Sequence, residues 1–335
     1  MRILLIGGSG LISTPITRFL LERDDDVVLY NRGRTPLRVE GAVQQVLGNR
    51  DDFAAFEAQI AELGHFDCVI DMVCFTPAQA ESAVRACAGR TTQFIFCSTV
   101  DVYSRPAPHY PYREDSPRNA ISDYGRNKAL CEDIFLAAHA RGDFAATIIR
   151  PAMTYGEGGV IVHTFGWSTT YLDRMRKGKP IVVHGDGQSL WVTCHVDDVA
   201  RAFVAAIGNE RAFGKAYHTA GDNWMTWNQF HAGVAAALGV PLPRLVHIPT
   251  DALATIAPQR ADITIFNFQY DTIFDNSAAK ADLGFAQTIG WVEGVRRTVA
   301  WLDAHGTIEN SDLDTYEDRL IAAWDRLVRG LPVDG

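Results

Sequence analysis

The 335-residue chain has no disulfide or metal framework written into it. Six cysteines (Cys68, Cys74, Cys87, Cys97, Cys131 and Cys194) are scattered, with no Cys-x-x-Cys and no His/Cys cluster at metal-ligand spacing. Most stand in apolar surroundings, the setting of buried free thiols in a reducing compartment. Positive charge is also scarce: 31 Lys and Arg face 40 Asp and Glu, for a formal net charge of −9. That balance, without any basic block, argues against a general affinity for nucleic acid or anionic membrane. No apolar run reaches the ~18 residues of a membrane span. Neither an internal repeat nor a low-complexity linker breaks the chain, which starts directly on an apolar strand. These absences, with 47% hydrophobic residues, leave a globular cytoplasmic enzyme as the simplest expectation.

Chemistry enters at two places. Arg2 to Ile6 is an apolar run that ends in Gly7-Gly8-Ser9-Gly10-Leu11-Ile12-Ser13, followed by Ile16, Phe19 and Leu20 at helical spacing. Strand, glycine turn and helix together are the setting of a dinucleotide site, where the backbone approaches a pyrophosphate at a helix N-terminus. Ser13 stands where a third glycine is usual. The second place is Asp123 to Ala129, Asp-Tyr-Gly-Arg-Asn-Lys-Ala, at the start of an apolar-periodic helix. Tyr124 and Lys128, four apart, share a helix face. An ammonium beside a phenol is expected to lower its pKa and prepare it to exchange a proton with an alcohol.

Between these points strands and helices alternate: Asp26 to Tyr30, Gln45 to Leu47, Phe53 to Leu63 (a helix), Cys68 to Val73, Gln93 to Phe96 and Ala145 to Ile149. That rhythm predicts an α/β fold with a doubly wound parallel Rossmann sheet and a ligand across the strands' carboxyl ends. The second strand ends in Asn31-Arg32-Gly33-Arg34 without the acid that would bind the ribose 2′-hydroxyl of NAD. Arg32, helped by Arg34, therefore points to NADP, with NAD as the alternative. Asn49 is a candidate for hydrogen bonding adenine. Thr76 falls near the crevice or caps the helix from Pro77. Ser98 and Thr99 follow the fifth strand and can reach the same oxygen as Tyr124.

With Arg150-Pro151-Ala152-Met153-Thr154-Tyr155-Gly156, Gly185-Asp186-Gly187, His195-Val196-Asp197-Asp198 and Asp282-Leu283-Gly284-Phe285 also in order, nearly the whole chain resembles the extended short-chain dehydrogenase/reductases, closest to their NAD(P)-dependent epimerase/dehydratase branch. The resemblance implies that Thr99 orients the reacting oxygen, that Tyr124 is the general acid/base, and that Lys128 tunes it and holds the nicotinamide ribose. It also implies that Gly7, Gly10, Leu11 and Ile12 form the pyrophosphate turn, and that Pro151 and Met153 pack on the nicotinamide. His195 reads as structural. Relatives commonly dimerise through the helix after strand four and the Tyr124 helix, so a homodimer is expected.

Three departures bear on the substrate. Trp191 occupies the place of an arginine that grips the diphosphate in sugar-nucleotide members, so a small-molecule substrate without that group (a free sugar, lactone, polyol or aromatic alcohol) becomes open, although core packing accounts for Trp191 equally well. Asp101 matches the proton-abstracting acid of the 4,6-dehydratases, but Val100 replaces their second acid; Asp101 is a second base or a turn cap. Asn31-Arg32-Gly33 and Val69 to Val73 are similar to the subgroup containing the chloroplast stem-loop RNA-binding proteins. The function expected is that of an NAD(P)-dependent oxidoreductase or epimerase moving hydride between nicotinamide and a carbinol carbon of a sugar-like substrate, with a non-catalytic dinucleotide sensor or RNA-binding protein as the alternative.

The domain boundary is expected near residue 155, with 1–155 binding dinucleotide, 156–335 binding substrate, and 180–208 packing back on the first part. His163 and Trp167 are candidate walls of the substrate pocket. A last amphipathic helix carries Leu313, Tyr316, Leu320, Trp324 and Leu327.

Overall fold

A computed structural model describes residues 1–330. The chain forms two compact units: Met1–Thr154 with Thr193–Asp222 and Phe274–Thr288, and Tyr155–Val192 with Asn223–Ile273 and the chain from Ile289 on.

The first unit is a seven-stranded parallel sheet. Its elements in chain order are β1 (Arg2–Ile6), α1 (Ser13–Glu22), β2 (Asp26–Asn31), β3 (Gln44–Leu47), α2 (Phe53–Leu63), β4 (Phe66–Asp71), α3 (Pro77–Cys87), β5 (Thr91–Cys97), α4 (Asp123–Arg141), β6 (Ala145–Pro151), α5 (Val196–Ala206), β7 (Lys215–Thr219) and α6 (Ser277–Leu283). The strand order is β7-β6-β5-β4-β1-β2-β3, and every neighbouring pair is parallel. Ile3, Leu4, Leu5 and Ile6 have no exposed surface, as expected of a strand covered on both faces. Alternate residues feed two cores. Ile3 and Leu5 join Ile16, Leu20, Val199 and Phe203 on one face; Leu4 and Ile6 join Phe56, Ala83 and Phe135 on the other.

Local chemistry sets the ends of the elements. Asp52 caps α2, Thr76 and Gln79 form a capping box on α3, Ser122 caps α4, and Gly142 ends α4 in the left-handed region at φ 81°. β4 stops at Asp71, two residues short of the sequence expectation. Its carboxylate turns back to accept the Val73 N–H at 3.0 Å, which ends the extended run.

In the second unit the strand Ile181–His184 pairs in parallel with Leu245–Ile248, and Leu190–Trp191 pairs antiparallel with Met225–Thr226. This pairing keeps the chain up to Val192 in the second unit; only from Thr193 on does it belong to the first. The last helix is Tyr316–Arg329 and docks Leu320 and Ile321 against Val182, Val246 and Ile248. Leu313 lies outside it and is 85% exposed, because the Asp314 carboxylate accepts the Tyr316 N–H and starts the helix after it. Among the described residues no helix is long and apolar enough to cross a membrane.

The second unit also buries three histidines. Burial pushes His163 down to about 3 and His184 down to about 4, and holds His231 well below its ordinary value. Burial pushes Glu317 the other way, up to about 7. Between the unfolded histidine value near ~6.5 and these folded values, the unfolded chain binds more protons, so stability falls as pH falls. Between about pH 6 and pH 4.5 the three histidines outnumber the one opposing glutamate, so acidification is net destabilising over that range. The second unit should melt at clearly lower temperature at pH 5 than at pH 7 in a calorimetric series; an unchanged Tm over that range would contradict neutral burial.

Candidate active site

Two cavities of the first unit share Gly7, Gly10, Val73 and Phe75 along the carboxyl ends of the strands. One, of about 350 Å³, is also lined by Ser9, Asn31, Arg32, Arg34, Asn49 and Arg50. The other, of about 260 Å³, is lined by Leu11, Ile12, Thr99, Tyr124, Lys128 and Pro151. All three residues expected to act on the substrate thus line one half of a two-part cleft, and most of the cofactor candidates line one half or the other. Met153 lines neither.

The glycine turn forms the floor shared by both halves. Gly7 continues the β1–β2 ladder by donating to the Tyr30 carbonyl at 2.9 Å, then turns at φ +87°. A Cβ there would lie 2.5 Å from Val73 Cγ1, so this place admits only glycine. Ser13, in the third-glycine position, accepts the Gly10 N–H at 2.7 Å. α1 begins with no side-chain cap and no acid in its first turn, which leaves its N-terminal N–H groups and positive dipole available to an anion.

At the end of β2, Asn31 Oδ1 accepts the Gly33 N–H at 2.8 Å. Its Nδ2 is buried without a hydrogen-bond partner. Arg32 and Arg34 are exposed beside it, and Arg38 reaches Thr14 Oγ1 at 3.3 Å. Asn49 Oδ1 folds onto the Asp51 N–H. Beneath them Arg50 makes two bonds to the buried Asp71 carboxylate, at 2.7 and 2.8 Å, and a third to the Gln79 carbonyl. An orphaned buried donor, an uncapped helix and a turn that cannot carry a side chain fit a dinucleotide with a pyrophosphate at its centre.

In the other half Tyr124 sits in the first turn of α4. The next residue explains how the helix comes so close: a Cβ on Gly125 would lie 2.1 Å from the Asp101 carbonyl oxygen and 2.7 Å from Ala120 Cβ. Only glycine lets α4 press against the turn that follows Thr99. Thr99 is 8% exposed, and its Oγ1 accepts the Asp101 N–H at 3.1 Å. Lys128 is 1% exposed and donates to the Cys97 carbonyl at 2.7 Å. Its ammonium lies 4.7 Å from the Phe96 ring centroid, 4.9 Å from Phe75 and 5.9 Å from Tyr124.

This geometry corrects the expectation of an acidified phenol. Although Tyr124 is 43% exposed as a residue, its pKa lies above the ordinary tyrosine value. Burial is the main cause, the negative charge available to Cys97 and Asp101 adds to it, and the interaction with the Thr99 hydroxyl opposes it. Lys128, bonded to the Cys97 carbonyl, is not among the groups that oppose this rise.

A network missed at the sequence level holds these pieces together. Ser98 donates to Glu132 Oε1 at 2.5 Å, and Arg150 grips both Glu132 oxygens at 2.8 and 2.7 Å. Arg150 also donates to Tyr103 Oη at 2.6 Å, so Tyr103 donates onward to His218 Nε2 at 2.5 Å, and His218 Nδ1 donates to the Asp275 carbonyl. Burial alone would lower the Arg150 pKa; Glu132 more than offsets it, and the guanidinium lies above its ordinary value. The signal was present: Glu132 is eight residues beyond Tyr124, on the same apolar face of α4, and buried acids are rarely unpaired.

The substrate candidates are dispersed. Asp101 is not a free base, since Arg105 Nη2 binds its carboxylate at 2.7 Å. The Thr76 hydroxyl serves the α3 cap. Trp191, expected as a stacking face, is 3% exposed within the second unit, 5.1 Å from Trp227 and 4.9 Å from Phe268 between centroids. Buried among these rings, it packs the core. His163 is 3% exposed and stacks on Tyr171 at 5.0 Å, whereas Trp167 is 52% exposed. Both line a separate cavity of about 270 Å³ in the second unit, together with Arg174, Arg260 and Glu317. Among the described residues no group of three His, Cys, Asp or Glu could hold a metal ion.

Comparison with known proteins agrees with the fold. Residues 3–219 match the model of the NAD dependent epimerase/dehydratase family, and the chain belongs to that family. It is 28% identical to the 2′-dehydrokanamycin reductase of Streptomyces kanamyceticus, over 93% of this chain and 88% of that protein. It is 27% identical to the chloroplast stem-loop binding protein of 41 kDa b of Arabidopsis thaliana, over 96% and 84%. Among solved structures it is similar to the UDP-glucuronic acid 4-epimerase of Bacillus cereus in complex with NAD, with a TM-score of 0.73 and 19% identity over 91% of this chain and 99% of that one.

Proposed function

We propose that the chain is a nicotinamide-dependent reductase that prefers NADP and acts on a ketone of a sugar-like substrate carrying no nucleotide. The observation that carries this reading is that Thr99, Tyr124, Lys128 and Pro151 line one half of a cleft whose other half begins on the same glycine turn. Gly7, Gly10, Leu11 and Ile12 would hold the pyrophosphate, Asn31, Arg32 and Asn49 the adenosine end, and Pro151 the nicotinamide end. When bound, the nicotinamide supplies or accepts the hydride. Tyr124 Oη then gives its proton to the carbonyl oxygen, or takes it back from the alcohol in the reverse direction. The phenol is protonated at neutral pH, as an ordinary tyrosine is, and so has a proton to give; burial makes it harder to ionise. Thr99 Oγ1 orients the same oxygen, and Lys128 compensates the phenolate left behind.

The 28% likeness to the 2′-dehydrokanamycin reductase supports a reductase over an epimerase. Trp191 in place of an anion-gripping arginine supports a substrate without a diphosphate. A homodimer through α3 and α4 belongs to the same reading; Leu130 on α4 is 51% exposed. The second reading, a non-catalytic RNA-binding protein, is favoured by the likeness to the chloroplast stem-loop binding protein. The net charge of −9 weighs against it.

Two measurements follow. NADPH oxidation across free keto-sugars and UDP-linked keto-sugars should be seen with the free sugars and not with the nucleotide-linked ones; the opposite pattern sinks the substrate assignment. Arg32→Asp should weaken NADPH binding by roughly 10- to 100-fold, the worth of one charge-assisted phosphate contact, and leave NADH binding nearly unchanged. Equal losses for both cofactors would remove the case for NADP.

A further inference from the structure

Two of the six thiols meet in the first unit. Cys74, in the loop after β4, and Cys131, on α4, have their sulfurs 3.9 Å apart, and both side chains are fully buried. Cys131 lies on the face of α4 that carries Tyr124 and Lys128, three residues beyond the lysine. Cys74 is followed directly by Phe75, whose ring lies 4.9 Å from the Lys128 ammonium, 6.4 Å from the Tyr124 ring, and in the lining of both halves of the cleft. The loop's far side is fixed, because the Phe75 N–H is held by Gln79 Oε1 at 2.6 Å. Any change in the Cys74–Cys131 separation therefore falls on the segment that seats Phe75 against Lys128.

We propose that Cys74 and Cys131 form an oxidative modification site: a peroxide converts the pair to an internal disulfide that ties the β4 loop to α4 and distorts the nicotinamide half of the cleft. A disulfide needs an S–S distance near ~2.05 Å, so the sulfurs must approach by about 2 Å. Misplacement of this size at a positioned site typically costs a large factor in binding or rate. Cys131 is the attacking sulfur. The Cys74 S–H donates to it and the Lys128 ammonium is nearby, and together these outweigh burial and hold its pKa below the ordinary thiol value. Burial holds Cys74 well above that value. The Cys131 thiolate attacks a peroxide oxygen, breaking the O–O bond, and becomes a sulfenic acid as hydroxide leaves. Cys74 sulfur then displaces the sulfenic oxygen, the S–S bond forms and water leaves. Overall two thiols and one hydrogen peroxide give one disulfide and two waters. Burial holds the Cys68, Cys87, Cys97 and Cys194 thiols above their ordinary values, so they remain reduced.

The test is made on the full native chain. After brief treatment with hydrogen peroxide and quenching, thiol titration in denaturant should find four of the six thiols. Peptide mass spectrometry should find one cross-link, Cys74 to Cys131, lighter by two hydrogens and reversed by dithiothreitol. Whichever of NADH and NADPH binds the reduced protein should bind the oxidised one about tenfold more weakly, with recovery on reduction. Cys131→Ser and, separately, Cys74→Ser should keep full binding after peroxide. Six thiols remaining, sulfinic acids, or a different pairing would each overturn the proposal, and a correct cross-link with unchanged binding would overturn its link to the cleft. If the reduced protein bound neither dinucleotide, the cofactor assignment would fail while the cross-link still decided this one.

Discussion

The buried contact between Arg150 and Glu132 governs the geometry of the cleft. It joins the end of β6 to the middle of α4, and through Ser98 it reaches the end of β5, one residue before Thr99. Glu132 is completely buried and Arg150 is 3% exposed. The buried carboxylate is held because Ser98, two nitrogens of Arg150 and Nη1 of Arg118 together use its lone pairs; loss of either partner from such a buried pair costs about 3–5 kcal/mol. A buried ion pair adds little net stability against an apolar alternative, but it fixes register. Here the register matters because Pro151 follows Arg150 directly and Tyr124 lies two turns before Glu132 on the same helix.

The reacting groups sit on elements that glycine brings close. Gly7 lets the floor of the cleft pass under Val73, and Gly125 lets α4 press against the Asp101 carbonyl. The phenol is thereby desolvated, and desolvation outweighs any help from the lysine four residues on. The result is a tyrosine that resists ionisation, beside a lysine held against the Cys97 carbonyl between two phenylalanine rings.

Much of this was legible in the sequence, for reasons of local chemistry. The glycine turn after an apolar strand and the strand-helix alternation are short-range signals, and β1 and α2 fall where they were expected. Features that depend on distant partners were not legible. Nothing near Trp191 announces that Trp227 and Phe268 enclose it. Asp101 reads as a possible base until Arg105 is seen on its carboxylate. The sign of the Tyr124 shift depends on burial, which helical spacing does not report. Cys74 and Cys131 are 57 residues apart and meet only because α4 packs beside α3 and the loop that leads into it.

The central claim is that Tyr124 passes the proton at a nicotinamide held on the glycine turn. It is tested most directly by Tyr124→Phe, measured for cofactor affinity and for single-turnover hydride transfer to the best keto-sugar substrate. The account predicts a dissociation constant within about twofold of the parent protein and transfer slowed by roughly 10²- to 10⁴-fold, the usual worth of a positioned general acid. Undiminished transfer in the phenylalanine variant would contradict it.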